Sequence, residues 1–220
     1  MQNVFSICTR FPGKREKPMN KQNSTIMKLA ETALLAALCY VSFTFLQIKI
    51  PVPGGDATSL HIGNTFCVLG ALLLGGWYGG LAGSIGMTIA DLMDPVYITG
   101  APKTFVLKLC IGLITGLVAH KIAKINETND KKYVFKWSLI ASIAGLAFNV
   151  IADPIVGYFY KQYILGQPQE VASILAKLSA GATFVNAIVS TILVVIIYAV
   201  RPALIKANLI HVYVTAANAK

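Results

Sequence analysis

The chain is 220 residues long, 55% apolar and 13% charged, with a mean hydropathy of +0.65. Its formal charge of +10 does not describe a nucleic-acid binder, because the basic residues flank apolar runs rather than interleave with aromatics on a soluble face. Successive apolar stretches leave no room for a separate soluble fold, so the chain reads as one membrane domain.

Residues 1–24 are polar and basic and carry Pro12 and Pro18; their brief apolar start lacks the length and cleavage pattern of a secretory signal. They read as a cytoplasmic arm. A helix needs about 20 mostly apolar residues to cross roughly 30 Å of hydrocarbon. The first such span covers 26–48 and is stopped by Pro51, Pro53, Gly54 and Gly55, a loop of a kind that can close over a site. Next, 59–74, the turn Gly75, Gly76, Trp77, Tyr78, Gly79, Gly80, and 81–93 read as a tight helical hairpin with short arms, the alternative being one long kinked helix. Beyond Asp94 and Pro95 a fourth helix spans 103–124, followed by a polar connector at 126–132 and by spans at 135–160 and 173–200. The membrane domain is then 25–206, with a cytoplasmic tail at 207–220. The expected fold is an all-α bundle of six transmembrane helices with both termini cytoplasmic.

The basic residues test that count, since cytoplasmic flanks are enriched in Lys and Arg. Six lie in the arm and at the start of the first span, five around the connector (Lys121, Lys124, Lys131, Lys132, Lys136) and three after the last span (Arg201, Lys206, Lys220), which assigns 14 of 19 to the inside. Lys49, Lys103, Lys108, Lys161 and Lys177 fall on the outer side, where Asp56, Asp91, Asp94, Asp153 and Glu170 offset them.

Polar side chains inside apolar spans are costly in lipid and mark functional sites by default. Here they are His61, Asn64, Asp91, Lys103, Lys108, Asn149, Asp153 and Asn186, all assigned to substrate binding. His61 and Asn64 are three apart at the start of the second helix, and Asn149 and Asp153 four apart on the fifth, so each pair shares a face. Each residue taken singly also reads as an interhelical hydrogen bond, and Asp94 and Asp153, both followed by Pro, also read as helix ends. Lys103 can reach the interface along its aliphatic stem. Lys108 lies more than a turn deeper and needs a carboxylate such as Asp91 or a ligand. Tyr97, Tyr158, Tyr160 and Tyr163 fit an interfacial belt, or a stacking surface for a flat ring.

Ala33 and Ala37 put two small side chains one turn apart on the first span, suited to close helix approach inside the bundle or against a partner. Gly79 with Gly83, and Gly112 with Gly116, repeat that spacing and read as internal packing. Cys8, Cys39, Cys67 and Cys110 have neither disulfide nor metal spacing. There is no nucleophile elbow, phosphate-cradling GxxxxGK[ST] or HExxH, so no enzyme, metal or cofactor is expected, and uphill transport would need energy from elsewhere.

The string LHIGNTFCVLGALLLGGWYGGLAGSIGMTIADLMD, followed by APKTFVLKLCIGLITGLVAHK, resembles the substrate-binding S component of energy-coupling factor (ECF) vitamin transporters, in the riboflavin-transporter-like branch. The likeness covers residues 27–201 and rests on the alanine-rich first helix, the glycine-rich turn, the AD after a glycine-rich helix, and P-x-T with a lysine four residues on. It implies a six-helix bundle with an outward-facing site capped by loops. It also implies docking of the Ala33–Ala37 face onto a membrane-embedded T component bound to two ATPases. The resulting expectation is a subunit that captures a water-soluble vitamin or precursor at a prokaryotic plasma membrane. Its alternatives are a self-sufficient proton-coupled carrier and a membrane scaffold.

Overall fold

A computed structural model describes residues 21–52, 56–128 and 130–199. Most of the basic arm and the whole tail on which the sidedness argument draws lie outside these segments, as does Cys8. Six helices are seen: α1 (Lys21–Phe45), α2 (Gly63–Leu74), α3 (Gly76–Met93), α4 (Ala101–Gly116), α5 (Lys131–Phe159) and α6 (Gln169–Ala199). Four helical stretches, Thr25–Phe45, Ile98–Ile122, Lys131–Ile164 and Gln169–Ala199, are long and apolar enough to cross a membrane. Two of these reach their length through π-helical turns, Leu117–Ile122 after α4 and Tyr160–Ile164 after α5.

The first correction concerns the segment after α1, where residues 59–61 were expected to open a helix. They belong instead to an antiparallel hairpin of β1 (Gln47–Val52) and β2 (Asp56–His61), in register from Gln47 opposite His61 to Val52 opposite Asp56. Ile48, Ile50 and Val52 alternate with Gln47, Lys49 and Pro51, the two-residue period of a strand, and Pro51 is tolerated because β1 pairs on one side only. Of the breaker cluster, Pro51 lies within β1, and Pro53, Gly54 and Gly55 lie outside the described residues.

α1 buries Thr32, Leu35, Cys39, Ser42 and Phe43, a stripe at helical spacing, and leaves Leu34, Ala33, Ala37, Leu38 and Val41 exposed. The turn after α2 is a single residue: Gly75 adopts φ +104°, open to glycine at little cost, and α3 starts at once with Gly76. The chain therefore folds back as two helices, not one kinked rod. α3 is the hub, packed on α1, α2 and α4. A Cβ on Gly79 would land on the backbone of Ala71, one on Gly112 on that of Gly80, and one on Gly116 on that of Gly76. Glycine lets these backbones touch, and in lipid close packing is what drives helix association. The Gly79 and Gly112 pairs accordingly serve internal packing, and Cys39 and Cys67 are free thiols in the same core.

α5 runs straight through Pro154, so the helix-ending role for Asp153 is withdrawn. A proline removes one intrahelical hydrogen bond, and packed neighbours in a bundle tolerate that loss. Asp94 does end its helix: it follows the last residue of α3, and its Oδ1 accepts from the Val96 amide at 3.1 Å.

Asp94 also binds Lys49 of β1, tying the hairpin to the end of α3. Partial burial pushes the Asp94 carboxyl upward, but the Lys49 hydrogen bond and the Val96 amide outweigh it and hold the group below the usual carboxylate range. A depressed carboxylate contributes its stability above the unfolded value of about 3.9 and loses it as pH falls through the folded value. Lys49 is 45% exposed, so the contribution is at most about 1 kcal/mol. Hydrogen exchange of β1 is expected to be flat from about pH 5 to 8 and to quicken, relative to the intrinsic rate, only below about pH 4; a change near neutrality would contradict this tie.

Candidate solute-binding site

At the end of the bundle that carries the hairpin, β2 and the ends of α3, α4, α5 and α6 line a cavity of about 110 Å³. That is several times the space one water needs, roughly 10–15 Å³ on the same measure, and fits a small polar solute. His61, Asp91, Lys103, Lys108, Asp153 and Asn186 all line it. Asn64 and Asn149 do not. Both are 1% exposed, and among the described residues neither amide oxygen has a hydrogen-bond partner.

Asn186 of α6 acts on the backbone of β2. Its Oδ1 accepts from the His61 amide at 3.0 Å and its Nδ2 donates to the Ser59 carbonyl at 3.0 Å, as a neighbouring strand would. It thereby sews the hairpin onto the bundle and positions His61. His61 packs edge-on against Phe43, 4.7 Å between centroids, and Phe43 against Tyr97 at 5.6 Å, so one wall is aromatic. The His61 Nδ1 accepts from the Gly63 amide at 3.2 Å. The ring proton then sits on Nε2, and the neutral ring has one N–H to donate.

Six charged residues line the cavity: Asp56, Asp91, Asp153, Lys103, Lys108 and Lys161. Lys103 does not reach away along its stem. It pairs with Asp153 across α4 and α5 at 2.8 Å, with side chains 16% and 13% exposed, and Ser179 of α6 donates to the second Asp153 oxygen. Lys161 pairs with Asp56 at 2.5 Å, and Gln167 donates to the other Asp56 oxygen at 2.7 Å. This second pair bridges the hairpin to the end of α5, and sequence reasoning missed it, counting both residues only among the offsetting charges of the outer side. Partners so far apart in the chain leave no local signal.

Lys108 and Asp91 differ from these four. They are 7% and 3% exposed, yet among the described residues neither forms an ion pair, so the expected Lys108–Asp91 bridge is absent. Thr104, one turn before Lys108, donates a hydrogen bond to the Asp91 carboxylate. The cavity-lining charges are balanced in number, and one cation and one anion among them are in no ion pair. Tyr160, which also lines the cavity, donates to the Thr99 carbonyl at 2.9 Å and so ties α5 to the turn before α4.

Long apolar helices around a charge-lined chamber define a multi-pass membrane protein with a polar site in its interior. The sequence matches the family described as ECF-type riboflavin transporter, S component, over residues 23–201, and the chain belongs to that family. Its members are transporter subunits, not enzymes. The fold is similar to that of a solved structure of ThiT from Listeria monocytogenes, with a TM-score of 0.62 and 19% sequence identity, covering 83% of this chain and 98% of that one. No curated protein sequence matches the chain.

Proposed function

We propose that this protein is the substrate-capture subunit of an ECF-type importer, taking a small water-soluble vitamin or precursor from outside a prokaryotic cell. The observation that carries this reading is the cavity itself, in which Lys108 and Asp91 are buried without ion-pair partners among the described residues. Buried charges are kept only when something compensates them, and a solute bound between them does so. The eight polar residues read from the sequence divide accordingly. Lys108, Asp91 and His61 face the solute. Lys103, Asp153 and Asn186 shape the chamber, and Asn64 and Asn149 act from the packed interior beside it. Riboflavin, named in the family description, is one member of the class to be tested.

The test is a panel of vitamins added to the purified protein in detergent. A ligand that binds only the native state raises the unfolding midpoint, by about 2.7 kcal/mol of added stability at a hundredfold excess over Kd. One member is expected to do so, and a panel without any shift would remove the capture reading. Uptake by reconstituted protein under a pH gradient alone would instead favour a proton-coupled carrier.

Delivery then needs a T component and two ATPases, with both termini of this chain on their side of the membrane. The exposure of Ala33 and Ala37 on the lipid-facing side of α1, away from its buried stripe, supports that face as the docking surface. Ala33→Leu with Ala37→Leu is expected to abolish co-purification with the T component while leaving solute affinity within about twofold. Unchanged co-purification would move the docking face elsewhere.

A further inference from the structure

We infer that the solute is a small, net-neutral dipolar ring, with an oxyanion or strong acceptor edge against Lys108 and an N–H or O–H edge against Asp91. This rests on the capture reading above and goes beyond it by naming the charge pattern of the ligand. Of the six charged residues on the cavity wall, four are already paired, Lys103 with Asp153 and Lys161 with Asp56. The two left over have opposite signs and sit on the adjacent, closely packed helices α3 and α4, both more than nine-tenths buried.

That residue decides between ligand classes. A purely anionic solute would satisfy Lys108 and leave Asp91 as a buried carboxylate facing a second negative charge. A purely cationic one would satisfy Asp91 and leave Lys108 to share Asp153, which is already paired with Lys103. Each arrangement leaves one charge short of compensation away from water, the costly case for a buried pair. A dipolar solute satisfies both at once and adds no net charge to a chamber that is already balanced. The neutral His61, with its Nε2–H, adds a second donor on the acceptor side of the recognition, and the Phe43 and Tyr97 rings supply an apolar wall for a flat body.

Three ring compounds of similar size separate the possibilities by calorimetric titration of the full chain: pyridoxine, dipolar at neutral pH; nicotinate, an anion; and 1-methylnicotinamide, a cation. Riboflavin is titrated alongside them. Pyridoxine is expected to bind at least about tenfold more tightly than either singly charged ring, the scale of one hydrogen bond to a charged group. Lys108→Met is expected to weaken pyridoxine by about tenfold or more and to make the cation the tighter of the two charged rings. Asp91→Asn is expected to make the anion the tighter of the two. This exchange of charge preference is a readout that a merely structural lysine or aspartate would not produce. Should either single variant fold poorly, Lys108→Met combined with Asp91→Asn removes both buried charges together, and it is expected to bind neither charged ring in preference to the other.

Nicotinate, 1-methylnicotinamide or riboflavin binding the unaltered protein more tightly than pyridoxine would overturn the inference and leave the capture reading intact. So would the same order of the two charged rings in both single variants. Failure of all four compounds to bind would overturn the inference, and only if the wider vitamin panel is also silent does the capture reading fall with it.

Discussion

Replacing Gly112 with Leu is expected to leave no folded protein, or to lower its stability by about 3 kcal/mol or more, the upper end for forcing side-chain atoms into a packed interior. Even the first carbon of the new side chain would fall on the backbone nitrogen and Cα of Gly80, which cannot move unless α3 separates from α4. Since α3 also packs on α1 and α2, that separation would be felt across the bundle. Gly181 of α6 is the internal control: a Cβ there meets nothing within 4 Å, and Gly181→Leu is expected to change stability by about 0.5 kcal/mol or less. Thermal unfolding in detergent, read by helical circular dichroism, distinguishes the two. Comparable losses at both positions would mean that glycine is required for helix geometry in general and not for the α3–α4 contact.

The second large effect concerns the Lys103–Asp153 pair. Asp153→Ala strands Lys103 in a site where its side chain is 16% exposed, and is expected to cost about 3–5 kcal/mol. Removing both charges with similar volume, Lys103→Met together with Asp153→Leu, is expected to recover most of that stability, because burying an ion pair carries a desolvation cost that an apolar pair avoids. Solute affinity should not recover with it. The apolar pair no longer holds the Ser179 hydroxyl or the polar lining of the cavity, so the double variant is expected to be stable and weak-binding. Stability and affinity returning together would show that the pair serves only to hold α4 on α5.

These two results probe different kinds of legibility. The glycine contacts were open to reading because a small residue one turn from another is a local pattern, and in an apolar helix it has one main use, close approach. The turn at Gly75 was equally visible, though its extent was not: six residues looked permissive, and only one takes the positive φ that breaks the helix. The β hairpin was written in the alternation of residues 47–52, but a Pro- and Gly-rich segment between helices invites a loop reading, and the alternation is only six residues long. Pro154 shows the opposite failure, since a local breaker was overruled by the packing of α5 against α4 and α6.

At the candidate site, burial was predictable for Lys108 and Asp91, because an ionisable residue well inside an apolar helix has few places to go. Pairing was not. Lys103 and Asp153 are 50 positions apart, and the Asn186 bond to His61 crosses 125, with no feature of either neighbourhood pointing to the other.

By itself, then, the order of residues determined the apolar helices, their glycine contacts, the family and the identity of the polar groups that would have to be compensated. These follow from short-range periodicity and from the cost of placing polar atoms in hydrocarbon, which act on each segment separately. Only the tertiary structure decided which charges neutralise one another, that Asn186 serves a strand, and that Lys108 and Asp91 line the cavity without an ion-pair partner among the described residues. Those outcomes depend on which helix ends converge, and a contact between distant segments is set by the packing of the whole bundle rather than by any one stretch of chain.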